Sequence, residues 1–229
     1  MRGKHCMTLS AAFALLLTVI AGIAQAGPRP LPPNANEYGV GYAGLTAAWL
    51  EWTVAVPESS NPILDSDGAF ATAGQSGRVW FLTGTLGGAA TRDVTIPAGT
   101  SLFFPIVNYF WVNTPEYGDA PWSPDQEAFV RQLMADTVDT AQNMSLEVDG
   151  RPIPNLATLR VSGAVGACTL PDDNIFEVPF EPVPHDCVAD GYWALLSPLS
   201  VGTHTIHFAG GFESGFSLDV TYHITVTAR

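Results

Sequence analysis

Residues 77–108 read GRVWFLTGTLGGAATRDVTIPAGTSLFFPIVN, and this stretch decides the fold class. It contains three runs of strand-forming residues, at 79–83, 93–96 and 102–107. Leu-Gly-Gly and Pro-Ala-Gly-Thr separate the runs, and these residue types favour turns. The pattern predicts three buried strands in a meander, the third ending at Asn108.

Short strand-like segments recur through the second half of the chain, with turn residues about every 8–12 positions, a spacing typical of sandwiches and barrels. They are 145–148, 158–165, 174–180, 191–197, 203–209 and 216–227. We therefore expect a mainly β fold, specifically a β-sandwich of jelly-roll type with roughly nine strands and two packed α-helices.

The first predicted helix covers residues 45–56. Leu45, Trp49, Trp52 and Val56 are spaced by four, three and four positions, which places them on one helical face. Pro57 ends the helix. Two tryptophans on one face are more typical of a core anchor than of a ligand platform.

The second predicted helix covers residues 123–142. Ser123 is a good N-cap, Pro124 suits the first helical position, and Gln126 completes a capping box. An apolar stripe should pack this helix on the sheet. The stripe consists of Phe129, Val130, Leu133, Met134 and Val138.

The N-terminus has the pattern of a secretory signal. Basic residues precede an apolar run, and Ala24-Gln25-Ala26 fits a signal-peptidase site, so cleavage is expected near Ala26. The run is too short for a membrane span, which needs about 20 residues. We expect a signal peptide at 1–26, an extended lead-in at 27–42, and one domain at 43–229 that contains the helical insertion 123–142, in a protein that is secreted or periplasmic.

Charge and cysteine content narrow the possible partners. The chain has 22 acidic and nine basic residues, for a net charge of −13, so it should repel nucleic-acid phosphates and anionic lipid. Of three cysteines, Cys6 lies in the predicted signal. Cys168 and Cys187 remain, and in an oxidising compartment they should form a disulfide.

Residues 109–122, YFWVNTPEYGDAPW, combine aromatic rings with polar groups and contain two prolines. Such a segment either covers the sheet as a lid or presents its rings to a ligand, and the two roles are compatible. A binding site here would also draw on residues from the turns. The candidate ligand-binding residues are Gln75, Asn108, Tyr109, Trp111, Asn113, Glu116, Asp119, Trp122, Asp190 and Trp193.

Catalytic and metal-binding motifs are weak in this sequence. It has neither a serine-nucleophile elbow nor a phosphate-binding loop with its lysine. His204 and His207 have odd spacing, so one strand cannot direct both at one ion, and we expect no metal site and no cofactor. If the protein is an enzyme, Glu116, Asp119 and Asp190 are the candidate catalytic carboxylates.

Three segments carry a resemblance to a known group of proteins. GQSGRVWFLTGTLGG, IPAGTSLFFPIVN and DGYWALLSPLSVGTHTIHF resemble an uncharacterised family of secreted bacterial proteins. The resemblance implies secretion and a single domain, and it implies no catalytic residue. Members of that family often have cysteines near the positions of Ala71 and Asp93, so this chain lacks any second disulfide that the resemblance would imply.

These observations favour a non-catalytic binding protein, with an extracellular glycan, another polymer or a small molecule as the ligand. One alternative is a carboxylate-dependent hydrolase or lyase that acts on a polysaccharide. A second alternative is an envelope-associated module whose aromatic segment contacts another protein.

Overall fold

A computed structural model describes residues 28–37, 39–113 and 121–228. Its α-helices are α1 (Tyr42–Ala55) and α2 (Pro124–Val138), and two short 3-10 helices cover Glu58–Ser60 and Leu156–Leu159. Its first strands are β1 (Asn36–Glu37), β2 (Val40–Gly41), β3 (Val79–Phe81), β4 (Gly88–Pro97), β5 (Ser101–Val112) and β6 (Ala141–Val148). The others are β7 (Arg151–Pro152), β8 (Arg160–Ser162), β9 (Gly166–Cys168), β10 (His185–Leu196), β11 (Gly202–Phe212) and β12 (Ser217–Thr227).

The strands form two five-stranded sheets and one small hairpin, β1–β2. The first sheet has the order β3-β5-β10-β8, with β9 also paired to β10. The second sheet has the order β4-β12-β11-β6-β7. The expected mainly β fold with two helices is confirmed. The jelly-roll connectivity is not confirmed, and two strand pairs, β3–β5 and β4–β12, are parallel.

The two sheets pack face to face, and the main hydrophobic core lies between them. Strands β4 and β12 alternate buried and exposed residues, because one face of their sheet contacts the core and the other contacts solvent. Strand β5 is buried at every position from Ser101 to Val107. Its side chains alternate between the inter-sheet core, which receives Phe104, and the opposite face, which receives Phe103.

Helix α1 covers that opposite face of the first sheet. Trp49 is fully buried there, with its ring 5.1 Å from the ring of Trp193, and its indole N–H donates to the carbonyl of Leu82. The Trp193 ring in turn stacks on Phe103. The predicted role of the two α1 tryptophans as core anchors is confirmed, because Trp52 is also buried.

Helix α2 packs beside the second sheet, over the far ends of β5 and β10. Val130 and Met134 contact Val188 of β10 in a small cluster that Tyr109 and Trp111 complete. The expected capping box at Ser123 is present, with reciprocal hydrogen bonds to residue 126. Strands β5 and β10 are thus long enough to be covered by a sheet at one end and a helix at the other.

A bulge at Ile106 interrupts the pairing of β5 with β10. Trp193 is opposite Pro105 and Tyr192 is opposite Val107, which leaves Ile106 without a partner residue. On its other side β5 pairs with β3 only through residues 101–103. Pro105 has no N–H to donate, and proline in a sheet is confined to edges and bulges, so the ladder with β3 stops there.

The predicted disulfide is confirmed. Cys168 and Cys187 are bonded, both are buried, and their Cα atoms are 5.9 Å apart. The bond joins β9 to β10 beneath α1, where Gly166 faces Cys187 across the ladder. The bridge therefore holds the 169–184 excursion against the first sheet.

Several local predictions are wrong. The strands from 77–108 are not a meander, because β4 joins the second sheet while β3 and β5 pair in parallel in the first. Residues 109–112 continue β5, so the strand does not end at Asn108. The segment 174–180 contains no strand. The second helix ends at Val138, and Ala141 already begins β6.

Candidate functional site

The structure divides the predicted site residues among several places. Trp111, Asn113 and Trp122 line one groove together. Asn108 and Tyr109 line a different pocket. Gln75, Asp190 and Trp193 line neither, and Glu116 and Asp119 lie outside the described residues.

We call the first place the aromatic groove. It has a volume of about 230 Å³ and lies between the end of β5 and the first two turns of α2. Its described lining residues are Trp111, Asn113, Trp122, Asp125, Gln126, Phe129 and Val130.

Local structure positions the rings of the aromatic groove. Trp111 projects from β5 toward α2, and the backbone N–H of Trp122 donates to the Asp186 carboxylate at 2.6 Å. This bond fixes the chain immediately before the N-cap of α2 at Ser123. The Phe129 side chain is 68% exposed, so the helical stripe expected to bury it does not do so. The exposed Phe129 ring therefore extends the apolar lining of the groove to the protein surface, beside the half-buried Trp111 and Trp122 rings.

We call the second place the strand-edge pocket. It has a volume of about 250 Å³ and lies against residues 108–110 of β5. It is on the edge of β5 that faces away from β10, beyond the point where pairing with β3 ends at residue 103. The 84–86 loop and the β11–β12 turn form its walls. Its described lining residues are Trp49, Ile63, Gly84, Thr85, Leu86, Asn108, Tyr109, Phe110, Thr137, Phe212, Ser214 and Phe216.

Asp190 has a structural partner. Its two carboxylate oxygens accept from Nε and Nη2 of Arg160 at 2.7 and 2.9 Å, and its side chain is 4% exposed. The Asp190 hydrogen bond is the largest contribution that raises the pKa of Arg160, with a further bond to Asp139 acting in the same direction. A carboxylate held this way is the buried counter-ion of the half-buried Arg160 guanidinium. Asp190 as a ligand contact or catalytic acid stays a prediction, and it lines neither pocket.

Trp193 and Gln75 also have structural positions. Trp193 is fully buried between Trp49 and Phe103, so it cannot reach a ligand at the surface. The Gln75 amide donates to the Phe81 carbonyl and accepts from the Phe81 N–H, which makes it a substitute strand partner at the edge of β3. Both side chains thus have structural contacts, and neither lines the aromatic groove or the pocket beside residues 108–110.

Polar residues with metal-ligand chemistry are dispersed among the described residues. No group of three or more His, Cys, Asp or Glu side chains there could hold an ion. His204 hydrogen-bonds to Asp149, and His223 hydrogen-bonds to Asp93.

The Asp65 carboxylate has a shifted pKa. Burial would raise this pKa, but the carboxylate accepts hydrogen bonds from several backbone N–H groups, and these bonds hold the pKa below its usual value.

The strand-edge pocket contains residues that sequence reasoning missed. Leu86 is 52% exposed in a Gly-rich turn, and Phe216 is half-buried next to a turn glycine. For Leu86 the available signal was an apolar side chain inside a Gly-rich turn, whereas Phe216 opens the segment 216–227 that the sequence predicts as a strand. Phe129 was missed for the opposite reason, because its helical spacing matched the buried stripe.

Comparisons with known proteins add little. No family model and no curated protein matches the chain. Among solved structures, the solution structure of amebosin is similar over 62% of this chain and 98% of that one, with 11% identity and a TM-score of 0.19. A similarity of this size supports neither a fold assignment nor a function.

Proposed function

We propose that the protein is an exported, non-catalytic binding protein that recognises a carbohydrate in the aromatic groove. The observation that carries the proposal is the convergence of Trp111, Trp122 and the exposed Phe129 on one groove. Asp125 and Gln126, both exposed, supply polar groups at its rim.

The chemistry of the groove suits a neutral, amphipathic ligand such as a sugar. Ring faces contact the apolar C–H surface of a pyranose, while carboxylate and amide groups hydrogen-bond to its hydroxyls. The described lining contains one carboxylate, Asp125, and no basic residue, so it is unsuited to an anionic ligand.

One finding is compatible with export. The Cys168–Cys187 bridge is the kind of bond that persists in oxidising compartments. Within the described part of the chain, neither helix has the length and apolar character that a membrane crossing requires. The signal peptide expected at 1–26 lies outside the described residues, so it stays a prediction on which the proposed export depends.

The hydrolase alternative receives no specific support. Asp190 is the only one of its three candidate carboxylates among the described residues, and Arg160 already neutralises it. The protein-interaction alternative uses the same exposed ring as the proposal. Substitution of Phe129 therefore tests this alternative as well.

Titration with soluble oligosaccharides, followed by tryptophan fluorescence and calorimetry, tests the proposal. Phe129→Ala should weaken binding about tenfold and leave the free energy of unfolding within about 0.5 kcal/mol, because the ring is exposed. Phe70→Ala is the matched control, since Phe70 is an exposed ring that does not line the groove. Equal binding by wild type and Phe129→Ala would contradict the site.

Failure of every glycan at millimolar concentration, together with capture of a protein partner that Phe129→Ala abolishes, would replace the carbohydrate with a protein ligand. Release of reducing ends from a polysaccharide would instead favour the hydrolase.

A further inference from the structure

The strand-edge pocket has an unpaired polar group in an apolar wall. Nδ2 of Asn108 is buried and has no hydrogen-bond partner among the described residues. A buried amide donor without an acceptor costs about 1–3 kcal/mol. Natural proteins rarely retain such a group unless water or a ligand satisfies it.

The backbone of β5 adds donors and acceptors at the same place. The N–H of Asn113 donates to the carbonyl of Asp186 on β10. Because hydrogen-bonded and non-hydrogen-bonded pairs alternate along an antiparallel ladder, the backbone groups of Asn108 and Phe110 point away from β10. These backbone groups therefore point to the edge of β5 that is not paired with β3 at this position, and the pocket lies at that edge.

The remaining lining is apolar or uncharged. Trp49, Phe110, Phe212 and Phe216 supply rings, and Leu86 stands at the opening. No charged side chain is among the described lining residues. A charged ligand would therefore lose its hydration without gaining a counter-ion.

We propose that the strand-edge pocket binds a small, uncharged, mainly apolar molecule that carries a carbonyl-type acceptor, which receives a hydrogen bond from the Asn108 amide. The volume of about 250 Å³ suits a single-ring compound. Nδ2 itself has almost no accessible surface, so the amide must rotate to meet a ligand, and the broad amide torsion of asparagine permits such a rotation. This site is separate from the aromatic groove, and its ligand differs from the proposed carbohydrate.

The test compares acetophenone with ethylbenzene, two probes of similar shape of which only acetophenone has an acceptor. Each is titrated into the isotopically labelled protein and followed by amide NMR. Both should shift signals of residues 84–86, 108–110 and 212–216. Acetophenone should bind about tenfold more tightly, which is the worth of one ordinary hydrogen bond, and should shift the Asn108 side-chain signals.

Asn108→Leu should abolish the preference for acetophenone by weakening its binding about tenfold, with ethylbenzene unaffected. Leu86→Ala should weaken both probes equally, and Val201→Ala, an exposed aliphatic residue in another loop, should change neither. The wild-type comparison of the two probes stands even if Asn108→Leu fails to fold.

Three results would overturn the proposal. The first is the absence of shifts at these residues with either probe, which would mean that the pocket holds only water. The second is equal binding of the two probes by the wild type. The third is a preference for acetophenone that survives in Asn108→Leu.

Discussion

Helix α1 buries nine of its 14 residues, whereas α2, one residue longer, buries only three. The two helices also differ at their first turns. Gly41 caps α1 without any side-chain hydrogen bond, while Ser123 and Gln126 close a full capping box on α2. Burial of side chains therefore supplies most of the stability of α1, whereas local hydrogen bonds contribute a larger share of the stability of α2.

The difference also separates scaffold from candidate site. The first turns of α2 form one wall of the aromatic groove, and Thr137 near its end lines the strand-edge pocket. Helix α1 contributes only Trp49 to the latter pocket. The mostly uncovered α2 therefore borders both pockets, whereas the mostly buried α1 borders only one of them.

The largest expected effect is at the buried helix. Trp49→Ala removes a fully buried ring that contacts Trp193 and leaves the Leu82 carbonyl without its donor. We expect a loss of about 3–5 kcal/mol in the free energy of unfolding, measured by urea denaturation. A loss below about 1 kcal/mol would contradict the assignment of α1 to the core.

The next effect concerns the junction between α2 and the first sheet. Arg160 joins Asp190 of β10 to Asp139, the residue at the C-terminal end of α2. Arg160→Met leaves Asp190 buried without a counter-ion, so we expect a loss of about 3 kcal/mol in the free energy of unfolding.

Asp139→Asn is the control for Arg160→Met. The Asp139 side chain is 71% exposed, and exposed ion pairs contribute under about 1 kcal/mol. Equal losses in the two variants would mean that the buried pair with Asp190 is not the important one.

The sequence was sufficient to predict much of the difference between the two helices. The capping box at Ser123 and the tryptophan spacing in α1 are local patterns, and both predictions are confirmed. The disulfide followed from the cysteine count. Local patterns do not determine which strands pair over long distances, so the parallel pairing of β3 with β5 was missed.

The site was harder to predict than the fold. Trp111 and Trp122 were predicted from the ring content of residues 109–122, which does not distinguish a groove from a core. Trp193 was included as a residue contributed by the turns, and its ring is fully buried in the core. Asp190 was included as a residue contributed by the turns, but it lies inside β10. Its partner Arg160 is 30 positions away and could be found only from the fold.

A smaller effect, visible only at high pH, arises at the first residue of α1. Burial raises the pKa of Tyr42 from 10.0 to about 12, partly opposed by the Leu195 N–H that donates to the hydroxyl. The folded pKa exceeds the unfolded one, so this contribution to stability is complete below pH 10 and is lost as the pH rises from 10 to about 12.

Tyr42→Phe should therefore flatten the fall in the free energy of unfolding between about pH 9 and about pH 11, measured by urea denaturation at both values. Tyr192→Phe serves as the comparison, because it also removes one tyrosine hydroxyl, but from a half-buried residue on β10. An unchanged slope in Tyr42→Phe would show that the hydroxyl is not held in its neutral form by burial.

The smallest effect tests the comparison between the helices directly. Ser123→Ala removes the side-chain acceptor for the Gln126 N–H, and we expect a loss of about 1 kcal/mol with faster amide exchange in the first turn of α2. Gly41→Ser makes the reverse change on α1, where φ is −80° and the nearest atom to an added Cβ is 4.0 Å away. Because α1 is fixed by burial, that new cap should change stability by only a few tenths of a kcal/mol. If Gly41→Ser stabilises the protein as much as Ser123→Ala destabilises it, both helices depend equally on their caps.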